Sequence, residues 1–112
     1  MENLLKEIRA FIAERDWEQF HSPKNIAMAM VVEAAEIVEH FQWLTQAESR
    51  NLDARKLAEV KDEIGDVMVY LADLSDKLGI DPVEAARAKI AKNREKYPAK
   101  QVKGRADKYT EY

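Results

Sequence analysis

The sequence predicts an all-α fold, a bundle of four helices. Three observations predict it. Apolar residues recur at helical spacing in four separate segments. One segment carries an unbroken apolar stripe with alternating steps of three and four. Start and stop residues punctuate the chain, with Ser22-Pro23 and Asp81-Pro82 before two segments and Gly79 after another.

The first helix is expected over residues 3–15, with Leu4, Leu5, Ile8, Phe11 and Ile12 on its inner face. Residues 16–21 interrupt it. Ser22 then caps a second helix and Pro23 takes its first position, where a missing N–H costs nothing. That helix runs to about Trp43, its apolar face formed by Ile26, Met30, Ala34, Ile37 and Phe41. Residues 44–53 read as a polar connection, with Asp53 capping the third helix. The third helix carries the stripe Leu57, Val60, Ile64, Val67, Leu71, Leu74, Leu78, a coiled-coil-like seam. Gly79 ends it in a left-handed turn. Asp81, Pro82 and Glu84 supply a cap, a first-position proline and a capping-box glutamate for the fourth helix, which stops at Tyr97 before Pro98.

Composition bounds the class. The chain has 112 residues, 46% hydrophobic and 35% charged, which suits one helical domain over residues 1–97 followed by a basic tail at 98–112. The two longest helices carry more apolar surface than one copy covers, so self-association is expected. A net charge of -3 is too mild to argue for nucleic acid as a partner. No apolar run approaches the ~18 residues of a membrane span, and the start lacks the pattern of a signal peptide. Without cysteine, disulfides, thiolate metal sites and a cysteine nucleophile are excluded. A cytoplasmic setting is the expectation.

The chemistry rests on two acidic pairs, Glu33 with Glu36 and Glu63 with Asp66. Residues three apart share one side of a helix. A short connection favours antiparallel packing of the second and third helices. Both pairs then lie roughly 10–20 Å from that connection at ~1.5 Å per residue, at matching height. Four carboxylates in one groove repel, and a divalent cation relieves the repulsion. All-oxygen ligation suits Mg²⁺, with Mn²⁺ as a substitute, rather than zinc. Magnesium commonly shares its coordination sphere with substrate phosphates. Acidic pairs at this spacing also occur on solvated helix faces, so spacing alone leaves both readings open.

Other residues have two readings each. Trp17 and Trp43 stack on a base or pack as ordinary core. His21 is a ligand or part of a helix-capping region. Tyr70, one turn after Asp66, reaches a phosphate or sugar or lies at a helix interface. Lys89, Asn93 and Lys96 form a polar row that is either solvated or turned toward phosphates. Gly65 in a helix interior costs roughly 1 kcal/mol relative to alanine and suggests close helix approach.

Glu33-Ala34-Ala35-Glu36 with Glu63-Ile64-Gly65-Asp66 resembles the E-x-x-E … E-x-x-D signature of the all-α MazG-like nucleotide pyrophosphohydrolases. Residues 14–21, Phe41-Gln42-Trp43, residues 66–70, Asn93-Arg94 with Tyr97-Pro98, and Lys108-Tyr109-Thr110-Glu111 resemble its dCTP pyrophosphatase subgroup. The resemblance implies a four-helix MazG-like bundle, assembled as a homodimer or homotetramer. It implies Mg²⁺-dependent cleavage of a nucleoside triphosphate between the α and β phosphates. dCTP or a modified cytosine deoxynucleotide is the implied substrate, and nucleotide-pool house-cleaning the role.

It implies that Glu33, Glu36, Glu63 and Asp66 bind metal and carry catalysis. Trp17, His21 and Trp43 correspond to positions holding base and sugar; Tyr70, Lys89 and Asn93 correspond to sugar and phosphate contacts. Two positions depart from related patterns. Val32 stands where some families open the motif with a second glutamate, and Ile8 stands where some animal members carry a base-reading histidine. Two other classes compete. A di-iron or di-manganese bundle needs Glu-x-x-His pairs, which neither His21 nor His40 completes. A non-catalytic nucleotide-binding or helical dimerisation module needs only the Leu57–Leu78 seam.

Overall fold

A computed structural model describes residues 1–104. Among them every regular element is helical. The chain forms two compact units, one of Met1–Ile80 and one from Asp81 onward. The Lys108–Glu111 segment and the distal basic residues lie outside the described residues.

In the first unit, α1 spans Glu2–Glu14, α2 Pro23–Phe41, α3 Gln46–Ser49 and α4 Ala54–Lys77. Ile8 and Ile12 of α1 are buried against Ala72 of α4, with Leu4 and Leu5 beside them. Burying a side chain of this size contributes ~1.5–3 kcal/mol. Phe11, expected on that face, is exposed instead. Its ring meets Trp17 edge-on at 5.8 Å, and the Arg15 guanidinium lies 3.8 Å from its centre. Arg9 clamps α1 to α4 by donating from two guanidinium nitrogens to both oxygens of Asp76.

Backbone chemistry sets the breaks. Trp17 N–H reaches back to Ile12 C=O and Asp16 N–H to Ala13 C=O, which closes α1 in a Schellman turn. Asp16 takes the left-handed position at φ 53°, a conformation short polar side chains tolerate. A 3₁₀ turn, Glu18–Phe20, follows. The Ser22 hydroxyl accepts from Asn25 N–H at the start of α2, and Asp53 accepts from Lys56 N–H at the start of α4. The connection between them holds an unexpected short helix, α3. Thr45 and Glu48 form a reciprocal capping box there, and hydrogen bonding from Thr45, its backbone N–H first and its hydroxyl second, holds the Glu48 carboxyl below the usual carboxylate range. At the end of α4, Ile80 N–H bonds Ser75 C=O and Gly79 N–H bonds Asp76 C=O. Gly79 has φ 67°, so this is a second Schellman turn, with the residue expected.

α2 and α4 run antiparallel. His21 meets Asp73 before the start of α2, Glu33 senses Asp66 midway, and His40 meets Glu59 and Glu63 near its end. The rotation of α4 differs from the seam expected. Val60 is buried and Val67 and Leu74 are half-buried. Leu57, Ile64, Leu71 and Leu78 are 58, 55, 38 and 53% exposed. The second set repeats every seven residues along one side of the helix. The inner side is shared with Lys56, Glu63, Tyr70, Asp73 and Lys77, all buried or half-buried. Polar groups that find partners across the groove have displaced half of the seam from it. Ala34 of α2, also expected inside, is exposed.

In the second unit, α5 spans Pro82–Lys96 and α6 Ala99–Val102. Asp81 caps α5 by accepting from the N–H groups of Val83 and Glu84. Glu84 does not complete a capping box; its carboxylate accepts from Arg87 at 2.7 Å.

Candidate functional site

Glu33 and Glu36 face the groove because they occupy the same turn of α2 as half-buried Ile37. Glu63 faces it from α4, three residues beyond buried Val60. Glu33, Glu36 and Glu63 each offer a carboxylate oxygen, and these atoms lie within 4.8 Å of one another. One oxygen of Glu33 and one of Glu63 are buried without a hydrogen-bond partner. Unpartnered buried acceptors are costly and call for a donor or a cation.

The electrostatics agree. Glu33 is raised from 4.5 to about 7, first by a proton shared with Glu36, then by burial and by repulsion from Glu36, Asp66 and Glu63. Glu63 is likewise raised to about 7, first by hydrogen bonding to Glu36 and then by burial and neighbouring carboxylates. Glu36 therefore sits electrically between the other two. Three oxygens crowded so closely suit a hard divalent cation with oxygen ligands, and no thiolate or imidazole in the trio favours zinc.

Asp66 stands apart from the trio and is solvent-exposed. It nonetheless lines the same cavity as Glu33. This cavity, about 490 Å³, lies in the first unit between α1, the 3₁₀ turn, α2 and α4. Ile8, Phe11 and Ile12 form apolar wall, and Trp17, His21 and Tyr70 line it as well. One continuous space thus joins two of the acids to three of the aromatic residues singled out in the sequence.

Other expected residues lie elsewhere. Trp43 follows α2, is 87% exposed and does not line the cavity. Lys89, exposed, and Asn93, half-buried, are on α5 in the second unit. Gly65 is exposed, and a Cβ added there would meet nothing within 4 Å, so within this chain it permits no close approach.

Several polar residues at the groove were not singled out in the sequence. His40 lies one turn beyond Glu36, its Nε2 3.8 Å from Glu63 and its Nδ1 3.7 Å from Glu59 and 3.3 Å from Lys56 Nζ. Asp73, only 2% exposed, binds His21 and Lys77. A legible signal existed. Lys56, Glu59, Glu63, Asp66, Tyr70, Asp73 and Lys77 follow the same three-and-four stepping as the apolar seam. A polar stripe so regular marks a face that meets partners.

Relatives share this chain's plan. Residues 28–112 match the MazG-like family. The human dCTP pyrophosphatase 1 is 41% identical over 103 residues, covering 90% of this chain and 61% of the relative. The Rattus norvegicus dCTP pyrophosphatase 1 is 40% identical over the same coverage. This chain thus spans about 61% of the length of these curated relatives. The crystal structure of a pyrophosphatase from Archaeoglobus fulgidus is similar at a TM-score of 0.83 and 42% identity, over 88% of this chain and 92% of that one. With the family match spanning most of its length and a helical frame shared with that structure, this chain belongs to the MazG-like family.

Proposed function

We propose that this chain is a Mg²⁺-dependent nucleoside triphosphate pyrophosphohydrolase. It converts the triphosphate to a monophosphate and pyrophosphate, with dCTP or a modified cytosine deoxynucleotide as substrate, in nucleotide-pool house-cleaning. The observation that carries this reading is the acidic trio with two buried, unpartnered oxygens beside an aromatic-walled cavity. The dCTP pyrophosphatase activity that gives the mammalian relatives their name, and the pyrophosphatase assignment of the A. fulgidus structure, support it.

In this reading Glu33, Glu36 and Glu63 hold the cation, and Asp66 adds a fourth carboxylate at the rim. When bound, the ion supplies positive charge against the phosphate oxygens and makes water more acidic. The residues supply position. Trp17 and the apolar wall receive the base, an aromatic stack worth ~1–3 kcal/mol in other systems. Tyr70 offers its hydroxyl one turn from Asp66. Water attacks the α-phosphorus in line with the departing pyrophosphate, so catalysis rests on alignment and charge neutralisation without a covalent intermediate.

The reading includes a homodimer or homotetramer. Leu57, Ile64, Leu71 and Leu78 line one side of α4 in water, and Met28, Val31 and Val38 are exposed on α2. Such surface favours a second copy. Trp43, exposed nearly in full, suits the same contact.

The deciding experiment incubates the protein and Mg²⁺ with canonical and modified triphosphates and identifies products. Monophosphate with pyrophosphate is expected, and Glu36→Gln or Glu63→Gln lowers turnover at least ~100-fold. Diphosphate with inorganic phosphate, or full activity in both variants, refutes the proposal. Binding without turnover supports the dimerisation-module reading instead.

A further inference from the structure

Asp73 is one of the most deeply buried charged groups in the first unit, and the metal chemistry does not use it. It is 2% exposed, and both its oxygens are engaged. His21 Nδ1 lies 2.8 Å from Oδ2, and Lys77 Nζ donates to Oδ1 at 3.0 Å. Lys77 also pairs with Glu18 at 2.8 Å. Burial lowers the proton affinity of Lys77, but the hydrogen bonds to Glu18 and Asp73 outweigh it and raise the pKa. Two residues of α4 thereby pin the segment between α1 and α2 from both ends of the 3₁₀ turn. That segment carries Trp17 and His21, which line the cavity.

The pairing has a chemical consequence. An ionised carboxylate only accepts hydrogen bonds. The proton of a neutral His21 ring must therefore sit on Nδ1, facing Asp73. Nε2 is left with a lone pair and has no hydrogen-bond partner among the described residues. A ring held in this tautomer accepts from a base and cannot donate to one.

We propose that Asp73, held by Lys77, is a specificity-positioning residue: it locks His21 so that Nε2 selects a base presenting an amino N–H, such as cytosine, over one presenting a carbonyl, such as uracil. This rests on the nucleotide reading above and adds to it the group that distinguishes bases. His21 touches the base; Asp73 acts through His21. The device is independent of Ile8, where no imidazole is available.

Asp73→Asn tests it with little change of shape. Lys77 only donates, so it holds the amide oxygen of the new side chain and leaves the NH₂ facing Nδ1. The His21 proton then moves to Nε2, which becomes a donor. Hydrolysis-resistant α,β-imido analogues of dCTP and dUTP are titrated with Mg²⁺ by calorimetry, and the His21 tautomer is read from ¹⁵N chemical shifts. The wild type is expected to carry its proton on Nδ1 and to favour the dCTP analogue about tenfold or more, the scale of one buried hydrogen bond made against one left unmade. Asp73→Asn is expected to move the proton to Nε2 and to lower that ratio at least ~10-fold.

A role confined to packing weakens both analogues alike and leaves the ratio unchanged, which overturns the proposal. So does a wild-type His21 protonated on Nε2. If the variant does not fold, the wild type still decides. Its Nε2 resonance should shift with the dCTP analogue and not with the dUTP analogue, and equal shifts overturn the proposal. Neither tautomer nor binding ratio depends on turnover. Equal binding of the analogues therefore defeats this inference alone, and no binding of either defeats it together with the nucleotide reading.

Discussion

The crowded carboxylates make metal binding a proton-releasing event. Glu33 and Glu63 are both held at about 7, against an ordinary 4.5. A cation requires both ionised. At pH 6 groups titrating near 7 are largely protonated, so Mg²⁺ binding should expel at least about one proton per chain. At pH 8 the release should fall to a small fraction of that. The assay is calorimetric titration with Mg²⁺ in buffers of different ionisation enthalpy, repeated at each pH. The same shifts set the stability of the metal-free protein. Between pH 4.5 and 7 the folded chain binds more protons than the unfolded chain, so stability falls as pH rises through that window and levels off above it. Saturating Mg²⁺ should abolish the fall. Glu36→Gln removes the neighbour that contributes most to both shifts, so it should reduce the slope of the metal-free profile while weakening the cation. Release near zero at pH 6, or metal-free stability that climbs from pH 5 to 7, would refute the reasoning.

Other perturbations separate the parts of the fold. Ile12→Ala empties a fully packed position between α1 and α4 and should cost about 2–5 kcal/mol in urea unfolding; a loss under 1 kcal/mol would contradict that packing. Gly65→Ala should gain roughly 1 kcal/mol, since the new methyl meets nothing in this chain. A lower melting temperature would instead mean that a second copy's backbone approaches there. Ile64→Asp with Leu71→Asp should shift the protein toward monomer in sedimentation. An unchanged mass would remove the α4 stripe as the contact.

Much of the local structure was legible because short-range chemistry decides it. Ser22-Pro23, Asp53 and Asp81-Pro82 marked helix starts, and Gly79 marked a stop, since each satisfies or spares orphan backbone groups within a turn. The capped turn at Thr45 was missed, although Glu48 three residues on carries the capping-box pattern. The facing of Glu33, Glu36 and Glu63 followed from helical spacing and a short connection. The exposure of Asp66 and the placement of Trp43 outside the cavity did not.

The sequence by itself determined that the four long segments are helices, where they begin and end to within about two residues, and which residues share a side. Only the tertiary structure decided which side of α4 turns inward. Its apolar seam and its polar stripe have the same periodicity, so no local rule ranks one above the other. The choice depends on what the opposite helices offer. His21 reaches Asp73, Arg9 reaches Asp76, and Glu33 and Glu36 come up beside Glu63. Those contacts join residues dozens of positions apart, and they exist only once the helices have met.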